Sequence, residues 1–247
     1  MSFSVILPTL NESGHIIDLI NKISFIFQKN KIDFEIIVVD DSSTDNTDFI
    51  VSEYMTQNKY VKLISRKGKK KNLASSINDG VSLAKFQYII WMDADFQHPP
   101  KYIENFINIS NKYDAIIASR FLKDSNRYFN DEKFKKKINE NQSYLFNKMC
   151  KFLFFNDFTD YTSGFICVKK NCLNFKLNGF YGDYFLDLII NLKKNNSKII
   201  EIPFKDGQRA SGKSKTLVKI NLSYLYTCLR YMITLFKSYF KLKFNFY

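Results

Sequence analysis

Short, mostly apolar runs alternate with segments of helical spacing over the first 120 residues, and this alternation constrains the fold more than any other feature. The runs have the length of strands and cover residues 3–7, 34–39, 61–64, 88–92 and 115–118. Between them, apolar residues recur every three or four positions, which is typical of amphipathic helices. Continuous apolar strands indicate a parallel sheet that helices cover on both faces. The sequence therefore predicts an α/β fold with a mainly parallel sheet.

The remaining chain continues this pattern less regularly. Ser43 or Thr44 is placed to cap a helix that would run to about Met55. Beyond residue 120 the predicted elements are a helix over about 136–155, a strand over 166–169, a helix over 184–195 and a strand over 198–203. The 247 residues, 45% of them hydrophobic, suffice for one sizeable core, and no linker separates two folding units.

Polar residues follow three of the predicted strands at the point where each strand ends. Asn11 and Glu12 follow the first strand, and two aspartates at 40–41 follow the second. Asp93 and Asp95 follow the fourth strand. Ligands of open parallel sheets bind beyond the carboxyl ends of the strands. These clusters therefore predict one polar pocket that contains a cation.

The stretch WMDADFQHPP, residues 91–100, carries the most specific chemistry. Alternate residues of an extended strand point the same way, so Asp93, Asp95 and Gln97 can converge from one side. Oxygen ligands of this kind suit Mg²⁺ or Mn²⁺, which take further oxygens from substrate phosphates. The alternative is that the acids cap a following helix, which Pro99 and Pro100 could open.

Charge is distributed unevenly along the chain, whose formal net charge is +13. Residues 1–60 carry 4 basic and 9 acidic groups, whereas the remainder carries 33 basic and 15 acidic groups. This asymmetry predicts an anionic partner for the second half, namely nucleic acid, a phosphorylated substrate or a membrane surface. The first of these is disfavoured, because the chain has no nucleic-acid-binding motif and the predicted pocket is acidic.

The C-terminal segment, residues 216–247, has the pattern of an amphipathic helix. Its polar residues recur every three or four positions and lie between apolar ones; they are Lys219, Ser223, Thr227, Arg230, Thr234, Lys237 and Lys241. A basic stripe beside a broad apolar face is typical of a helix in a membrane interface. The alternative is a helix that packs on the core or on a partner subunit.

Several absences suggest a protein on the cytoplasmic side that associates peripherally with a membrane. The N-terminus does not have the pattern of a signal peptide, and no window of 18 residues is uncharged and apolar. The four cysteines form no CxxC pair, which favours reduced thiols over a zinc site or disulfides.

Six motifs follow one another in order along residues 3–215. They are PTLNE (8–12), IIVVDDSSTDNT (36–47), WMDADFQHPP (91–100), ASRF (118–121), DYTSGF (160–165) and GQRASGKSK (207–215). These motifs resemble those of the family 2 glycosyltransferases of the GT-A fold. Within that family they resemble the polyprenyl-phosphate branch, which contains the dolichyl-phosphate mannose synthases. The resemblance implies a GT-A (Rossmann-like) domain over residues 1–215, followed by the interface helix over 216–247.

The resemblance also implies a role for each matching position. A nucleoside pocket would be lined by Pro8, Leu10, Glu12, Val39 and Asp41, the last accepting hydrogen bonds from base or ribose. The metal would be held by Asp93, Asp95 and Gln97, and Ala94 would touch the nucleotide. Donor and acceptor phosphates would be bound by Arg120, Arg209 and Lys215, and the catalytic set would be Asp95, Arg120 and Arg209. Ser163 and Gly164 would shape the acceptor side.

Three positions depart from the family pattern. Leu10 stands where the family has a tyrosine, and Asn72 stands where a glycine usually follows the basic loop over 66–71 after the third strand. An arginine expected near Asn139 is missing, and a lysine of 135–137 is the candidate replacement. The transmembrane helix pairs that some members carry are also absent from the sequence.

The activity implied is inverting, metal-dependent transfer of a sugar, with mannose from GDP-mannose favoured, to a polyprenyl or dolichyl phosphate. A phosphate monoester has its second pKa near ~6, so it needs positioning rather than a general base. The alternative uses another donor, such as UDP-glucose, and a saccharide hydroxyl with Asp183 as base. A nucleotidyltransferase is disfavoured, because PTLNESGH is not glycine-rich and basic. A small membrane partner subunit is compatible with the resemblance.

Overall fold

The computed structural model describes residues 1–127, 142–154, 157–179 and 182–210, together with Ile233, Phe236 and Phe240. Within these residues seven strands form one sheet: β1 (Ser2–Thr9), β2 (Asp33–Asp40), β3 (Val61–Ser65), β4 (Tyr88–Trp91), β5 (Ala115–Ser119), β6 (Ile166–Lys169) and β7 (Ile199–Pro203). Their order is β3-β2-β1-β4-β6-β5-β7. Only β6 is antiparallel to its neighbours among these strands, so the predicted mainly parallel sheet is confirmed.

Six α-helices accompany the strands in the described part of the chain: α1 (Ile16–Lys29), α2 (Thr47–Gln57), α3 (Leu73–Leu83), α4 (Ile103–Ile109), α5 (Gln142–Leu153) and α6 (Asp183–Lys194). A turn of 3₁₀ helix, Pro100–Tyr102, precedes α4. The helices and strands predicted before residue 210 are therefore present among the described residues, with bounds shifted by a few residues. Residues 128–141, where the helix over 136–155 was expected to start, lie outside the description.

The core has two layers because strand side chains point alternately to the two faces of the sheet. On β1, Val5 and Leu7 pack with Phe27 of α1 in one cluster, whereas Ile6 packs in a second cluster with residues of α3 and α6. Each fully buried aliphatic or aromatic side chain stabilises the fold by about 1.5–3 kcal/mol. Continuous apolar strands thus form the centre of a sheet covered on both faces.

A glycine lets α3 approach this sheet closely. A Cβ atom added to Gly80 would lie 2.5 Å from Cγ2 of Ile6, which is closer than real contacts allow. Helix α3 begins at its N-cap Asn72, whose Oδ1 accepts the Ser75 N–H at 2.8 Å. The close packing and the cap together fix the loop before α3 at the carboxyl edge of the sheet.

Helix α2 begins later than the sequence suggested, because the polar residues before it bind the neighbouring loop. The predicted capping role of Ser43 or Thr44 is wrong. Ser43 donates its hydroxyl to the carboxylate of Asp40, and the Thr44 N–H donates to Asn11 Oδ1 at 2.8 Å. The helix instead follows Asn46, which adopts a left-handed conformation with φ of 66°.

The predicted C-terminal helix over 216–247 lies almost entirely outside the described residues. Ile233, Phe236 and Phe240 are helical, and their exposed fractions are 44%, 60% and 48%. Their spacing of three and four places them on one side of a helix, and the division at residue 215 stays a prediction. Among the helices that the structure describes, none combines the length and the hydropathy of a bilayer span.

Candidate active site

The predicted convergence of polar clusters at one edge is confirmed by the order of the strands. Strands β2, β1 and β4 are adjacent and parallel, so their carboxyl ends lie side by side. Asp41 follows β2, Glu12 follows β1, and Asp93 and Asp95 follow β4. Loops from this edge therefore supply most of the predicted donor-binding residues.

The loops after β1 and β2 are tied to each other through backbone N–H groups. The bonds are Asn11 N–H to Ser43 Oγ (2.8 Å), Glu12 N–H to Thr47 Oγ1 (2.9 Å) and Ser13 N–H to Asp45 Oδ2 (3.0 Å). Burial raises the pKa of Asp45, but hydrogen bonds from Thr47 and Ser13 outweigh it and lower that pKa to about 2. The first side of the pocket is thus a rigid, ionised loop pair.

Asp41 is buried at this edge, and both of its carboxylate oxygens have partners. Oδ1 lies 3.2 Å from Nε of Arg66, and Oδ2 accepts the Asn72 N–H at 2.7 Å. Arg66 is only 4% exposed and donates to Ser76 Oγ at 3.2 Å. A base or ribose that bound Asp41 would share the carboxylate with the Asn72 N–H, which donates to it, and with the Arg66 guanidinium, which forms an ion pair with it.

Arg66 was missed by the sequence analysis, which grouped it with the basic loop over 66–71. Its backbone N–H donates to the carbonyl of Asp40 at 2.8 Å, which places the residue directly after β3 at the acidic edge. The position of Arg66 in the sequence could have revealed its role. It directly follows the third predicted strand, and a basic side chain at that edge of the sheet lies beside the carboxylates of the neighbouring loops.

The other residues predicted to line the nucleoside pocket differ in exposure. Pro8 and Leu10 are half-buried at the end of β1, where a ligand could reach them. Glu12 is buried, and its Oε2 lies 2.9 Å from Nε2 of His15. Val39 has no exposed surface and packs in the core, so it would shape the pocket from beneath.

The predicted metal ligands Asp95 and Gln97 are brought together, and the guanidinium of Arg209 contacts both of them. Nη1 of Arg209 lies 2.7 Å from Oδ2 of Asp95, and Nη2 of the same guanidinium donates to Oε1 of Gln97. Asp95 also accepts the Gln97 N–H at 3.0 Å through Oδ1. Asp93 is more open, with a side chain 46% exposed, and Ala94 between the aspartates is buried.

His98 supports this loop from beneath and is not placed as a ligand. Its Nδ1 accepts the Asp93 N–H at 2.9 Å, and its ring stacks on Phe165 with centroids 5.0 Å apart. Burial, followed by the charge of Arg120, lowers the pKa of His98 to about 4. The imidazole is therefore neutral near pH 7. It fixes the start of the loop over residues 93–97, called the DADFQ loop below.

The donor set at this loop fits a divalent cation. Two carboxylates and an amide are hard oxygen ligands, and the guanidinium of Arg209 shows that they already attract a positive charge. Within the described ranges, no group of three or more His, Cys, Asp or Glu side chains forms a complete metal cluster. A cation held by Asp93, Asp95 and Gln97 would therefore need further oxygens from substrate or water.

Arg120 lies at the end of β5 and is held by a buried carboxylate. Its Nε and Nη2 each lie 2.8 Å from an oxygen of Asp160, and Nη2 also donates to the carbonyl of Thr162 at 2.8 Å. Burial opposes both charges, but the carboxylate of Asp160 raises the pKa of Arg120, and the guanidinium lowers the pKa of Asp160. The predicted phosphate-binding arginine is thus locked in one orientation.

A second carboxylate, that of the half-buried Glu201 on β7, holds the turn that carries Asp160. Glu201 accepts the Asp160 N–H at 2.9 Å and the Thr159 N–H at 2.8 Å. Burial raises the pKa of Glu201 to about 7, against these hydrogen bonds and together with the charge of Asp160. The sequence analysis missed Glu201, because an isolated acid in a short strand carries no motif.

The predicted acceptor-side residues lie around the same turn and the start of α6. Ser163 is buried and donates to the carbonyl of Ala118, and Gly164 has a φ of 72°. Asp183 is 5% exposed at the first position of α6, next to Tyr184, whose hydroxyl accepts Trp91 Nε1–H at 3.0 Å. The predicted phosphate ligand Lys215 lies outside the described residues.

A groove of about 690 Å³ lies behind the DADFQ loop rather than at the predicted donor site. Its lining is chiefly Lys22, Phe25, Ile26, Phe96, Pro99 and Gln208. Phe96 points toward this groove and receives Lys22 Nζ over its ring at 4.6 Å, whereas Asp95 and Gln97 face Arg209. The groove and the oxygen ligands are therefore on opposite sides of one loop.

Solved structures with the same architecture show the fold class. Glucosyl-3-phosphoglycerate synthase from Mycobacterium tuberculosis, in complex with phosphoglyceric acid, has a TM-score of 0.70 at 14% identity over 96% of this chain and 79% of that chain. The same enzyme with Mn²⁺, uridine diphosphate and phosphoglyceric acid has a TM-score of 0.67 at 15% identity, with 96% and 78% covered. The fold is GT-A-like, as predicted.

Similarity in sequence is higher to two proteins described as dolichol-phosphate mannosyltransferases. The one from Pyrococcus furiosus is 32% identical over 227 residues, 91% of this chain and 62% of that protein. The one from Mycosarcoma maydis is 26% identical over 231 residues, 91% of this chain and 76% of that protein. The chain thus spans less than two thirds of the Pyrococcus protein. A family model described as "Glycosyl transferase family 2" matches residues 4–174. The chain therefore belongs to glycosyl transferase family 2.

Proposed function

We propose that this chain catalyses inverting, metal-dependent transfer of a sugar from a nucleotide-sugar to a polyprenyl phosphate. The observation that carries the proposal is the convergence of Asp95 and Gln97 on one cationic group at the carboxyl edge of the sheet. A divalent ion bound there by Asp93, Asp95 and Gln97 would neutralise the diphosphate leaving group. The likeness to dolichol-phosphate mannosyltransferases supports a lipid phosphate as acceptor.

The chain's own residues would act mainly by positioning phosphates. An acceptor phosphate monoester is largely dianionic at neutral pH, so the site does not have to remove a proton from it. Arg120 presents a guanidinium whose Nε and Nη2 are fixed by Asp160 and Thr162, which leaves Nη1 as the donor for a phosphate. Arg209 and Lys215 would hold the remaining phosphate oxygens.

The donor is proposed to be GDP-mannose, on the basis of the two named relatives. The structural neighbours point differently, since one was solved with Mn²⁺ and uridine-diphosphate-glucose. Their identity to this chain is 14–15%, so they support a nucleotide-sugar and a divalent metal more than a particular base. Asp41 and the half-buried Leu10 are the residues expected to contact the base.

Membrane association is proposed from the C-terminal segment. The basic stripe over 216–247 and the exposed helical side chains of Ile233, Phe236 and Phe240 suit a helix in a bilayer interface. A lipid acceptor would then be presented to the site from the cytoplasmic face of the membrane. A small membrane subunit could share this surface.

The second candidate is a glycosyltransferase that acts on a saccharide hydroxyl. It is favoured by Asp183, whose neighbour Tyr184 contacts Trp91 two residues before the DADFQ loop. A hydroxyl acceptor needs a base, and Asp183 would supply it. Asp183→Asn separates the candidates, because transfer to a lipid phosphate should survive this change and transfer to a hydroxyl should not.

The test is transfer of radiolabel from GDP-mannose, and separately from UDP-glucose, into polyprenyl phosphate extracted into organic solvent. We expect label in the lipid phase only with Mn²⁺ or Mg²⁺ present, and a loss of at least about 100-fold in Asp95→Ala. Asp157→Ala is the matched control, because its carboxylate is 65% exposed and its ion pair in the described part of the chain is with Lys193. Label that persists in Asp95→Ala, or that forms without metal, contradicts the proposal.

A further inference from the structure

Arg209 occupies the place that a bound cation would take at the DADFQ loop. Its two terminal nitrogens contact one oxygen of Asp95 and the amide oxygen of Gln97, and these are two of the three predicted metal ligands. The side chain of Asp95 is 7% exposed and that of Arg209 is 19% exposed. A largely buried carboxylate without a counter-charge is costly, and the guanidinium removes that cost.

The backbone that carries Arg209 is pinned to the loop on both sides of the residue. The Gly207 N–H donates to the carbonyl of Gln97 at 3.0 Å, and the Ala210 N–H donates to the carbonyl of Asp95 at 3.0 Å. A Cβ atom on Gly207 would lie 2.2 Å from the carbonyl oxygen of Phe96, so glycine permits this approach. Arg209 can therefore leave the ligands by side-chain rotation while its backbone stays in place.

A divalent ion bound by these oxygens would lie against the guanidinium, and the two neighbouring cations would repel each other. Nη1 of Arg209 lies 2.7 Å from Asp95 Oδ2, and Nη2 donates to Gln97 Oε1, so the guanidinium fills the space beside these oxygens that a metal ion would take. We propose that Arg209 is a placeholder that keeps both ligands paired in the metal-free protein and is displaced when the metal binds.

Displacement gives Arg209 a second use. The released guanidinium stays within side-chain reach of the metal, so it can bind the diphosphate that the metal brings. Metal without nucleotide must displace Arg209 without offering it a new partner, whereas metal with a nucleoside diphosphate supplies one. The placeholder should thus weaken binding of the bare ion and favour binding of ion and donor together. The second half of this inference rests on the proposed function, but the competition for Asp95 and Gln97 does not.

Titration with Mn²⁺ alone tests the competition, with free Mn²⁺ followed by electron paramagnetic resonance. We expect Arg209→Met to bind Mn²⁺ roughly fivefold or more tighter than the wild-type chain, because no charge-assisted contact has to be given up. If Arg209 only orients the ligands, the same change should weaken Mn²⁺ binding. Unchanged or weaker binding overturns the proposal.

The matched control is Arg127→Met. Arg127 pairs with Asp206 of the same 205–210 loop at 2.6 Å, so its removal changes the net charge equally without touching the metal ligands. The gain in affinity should be clearly larger for Arg209→Met than for Arg127→Met, and equal gains would assign the effect to net charge and overturn the proposal. Arg209→Gln is measured in parallel, so that misfolding of one variant does not decide the result.

The transfer of Arg209 to the diphosphate is tested with GDP in the presence of saturating Mn²⁺. Arg209→Met should bind GDP roughly fivefold or more weaker under these conditions, while its affinity for Mn²⁺ alone is higher. Opposite shifts support both halves of the inference. Tighter Mn²⁺ binding with unchanged GDP binding overturns the second half and keeps the first. A failed transfer assay leaves the Mn²⁺ result unaffected, so failure of the proposed function is distinguishable.

Discussion

Two arginines predicted to bind phosphates are held by aspartates in opposite ways. Arg120 is clamped by Asp160, whose side chain has no exposed surface and whose backbone is held in turn by Glu201. Arg209 comes from a loop and uses Asp95, a carboxylate that is also a predicted metal ligand. The pair of Arg120 and Asp160 is part of the fixed structure of the protein. The groups of the second pair, Arg209 and Asp95, bind other partners during the proposed reaction.

The comparison shows that the cost of losing one partner of an ion pair depends on the surroundings of the pair. A buried pair that loses one partner leaves an uncompensated charge in a medium of low dielectric constant, which is strongly destabilising. A pair that faces a binding site can exchange one partner for water, metal or substrate, which replaces part of the lost interaction. Stability and activity should therefore respond in opposite order to changes at the two pairs.

The largest loss of stability is expected from Asp160→Ala. It leaves the guanidinium of Arg120 without its carboxylate in a buried setting, so the free energy of unfolding should fall by about 3–5 kcal/mol. Urea denaturation measures this value, with Asp157→Ala as an exposed control that should change it by less than about 0.5 kcal/mol. A loss below about 1 kcal/mol for Asp160→Ala would show that the two arginine pairs do not differ as described.

Glu201 gives a pH-dependent form of the same comparison. Its pKa is raised from 4.5 to about 7 in the folded protein, so the folded state retains a proton that the unfolded state releases. Between about pH 4.5 and 7, this group makes the free energy of unfolding fall as pH rises. Glu201→Gln has no such proton. Its stability relative to wild type should rise by up to about 3 kcal/mol across that window.

Denaturation curves at a series of pH values measure this difference between Glu201→Gln and the wild-type chain. The offset between the two proteins at any single pH is not decisive, because the amide also changes the hydrogen bonds to residues 159 and 160. A difference that stays constant from pH 4.5 to pH 7 would mean that Glu201 titrates as an ordinary acid.

Gly207→Ala should weaken the attachment of the loop that carries Arg209. The added methyl group would meet the carbonyl oxygen of Phe96 at 2.2 Å, so the loop must shift away from the ligands. We expect a loss of about 1–3 kcal/mol in the free energy of unfolding, measured by urea denaturation. Gly14→Ala is the control, since nothing lies within 4 Å of its added carbon. Equal effects of the two changes would contradict the close approach.

The smallest effect on stability is expected from Arg209→Met, about 1–2 kcal/mol in the absence of metal, because water from the site can replace the guanidinium beside Asp95. Thermal unfolding with and without Mn²⁺ is the measurement. Mn²⁺ should raise the melting temperature of the variant more than that of the wild-type chain, because ligands stabilise in proportion to their affinity. If Arg209→Met lowered the free energy of unfolding as much as Asp160→Ala does, Arg209 would be a structural residue like Arg120.

The sequence predicted those parts of the molecule that depend on local pattern. Apolar runs located β1–β5, and the polar residues after the fourth run pointed to Asp95 and Gln97, which meet at Arg209. The expected extended geometry of residues 93–97 is wrong, because β4 ends at Trp91 and Phe96 adopts a φ of 66°. The partners of these groups were not predictable, because Arg209 lies 114 residues beyond Asp95 and Glu201 lies 41 residues beyond Asp160. Such pairs form only when the sheet order brings distant segments together, and that order has no signature in one sequence.

The antiparallel direction of β6 has a consequence for how such a site can diversify. Among the parallel strands β1–β4, the loop at the site leaves the end of a strand and leads into the next helix. A change in such a loop therefore also alters the path of the chain into that helix. Because β6 runs against β4 and β5, it is the segment entering the strand, residues 160–165, that faces the site. Under the proposed function, the predicted acceptor side would therefore be exchangeable as one segment upstream of β6, while the strands that carry the predicted donor ligands keep their connections. A chimera that replaces only residues 142–165 with those of a relative should change acceptor preference and leave the donor unchanged.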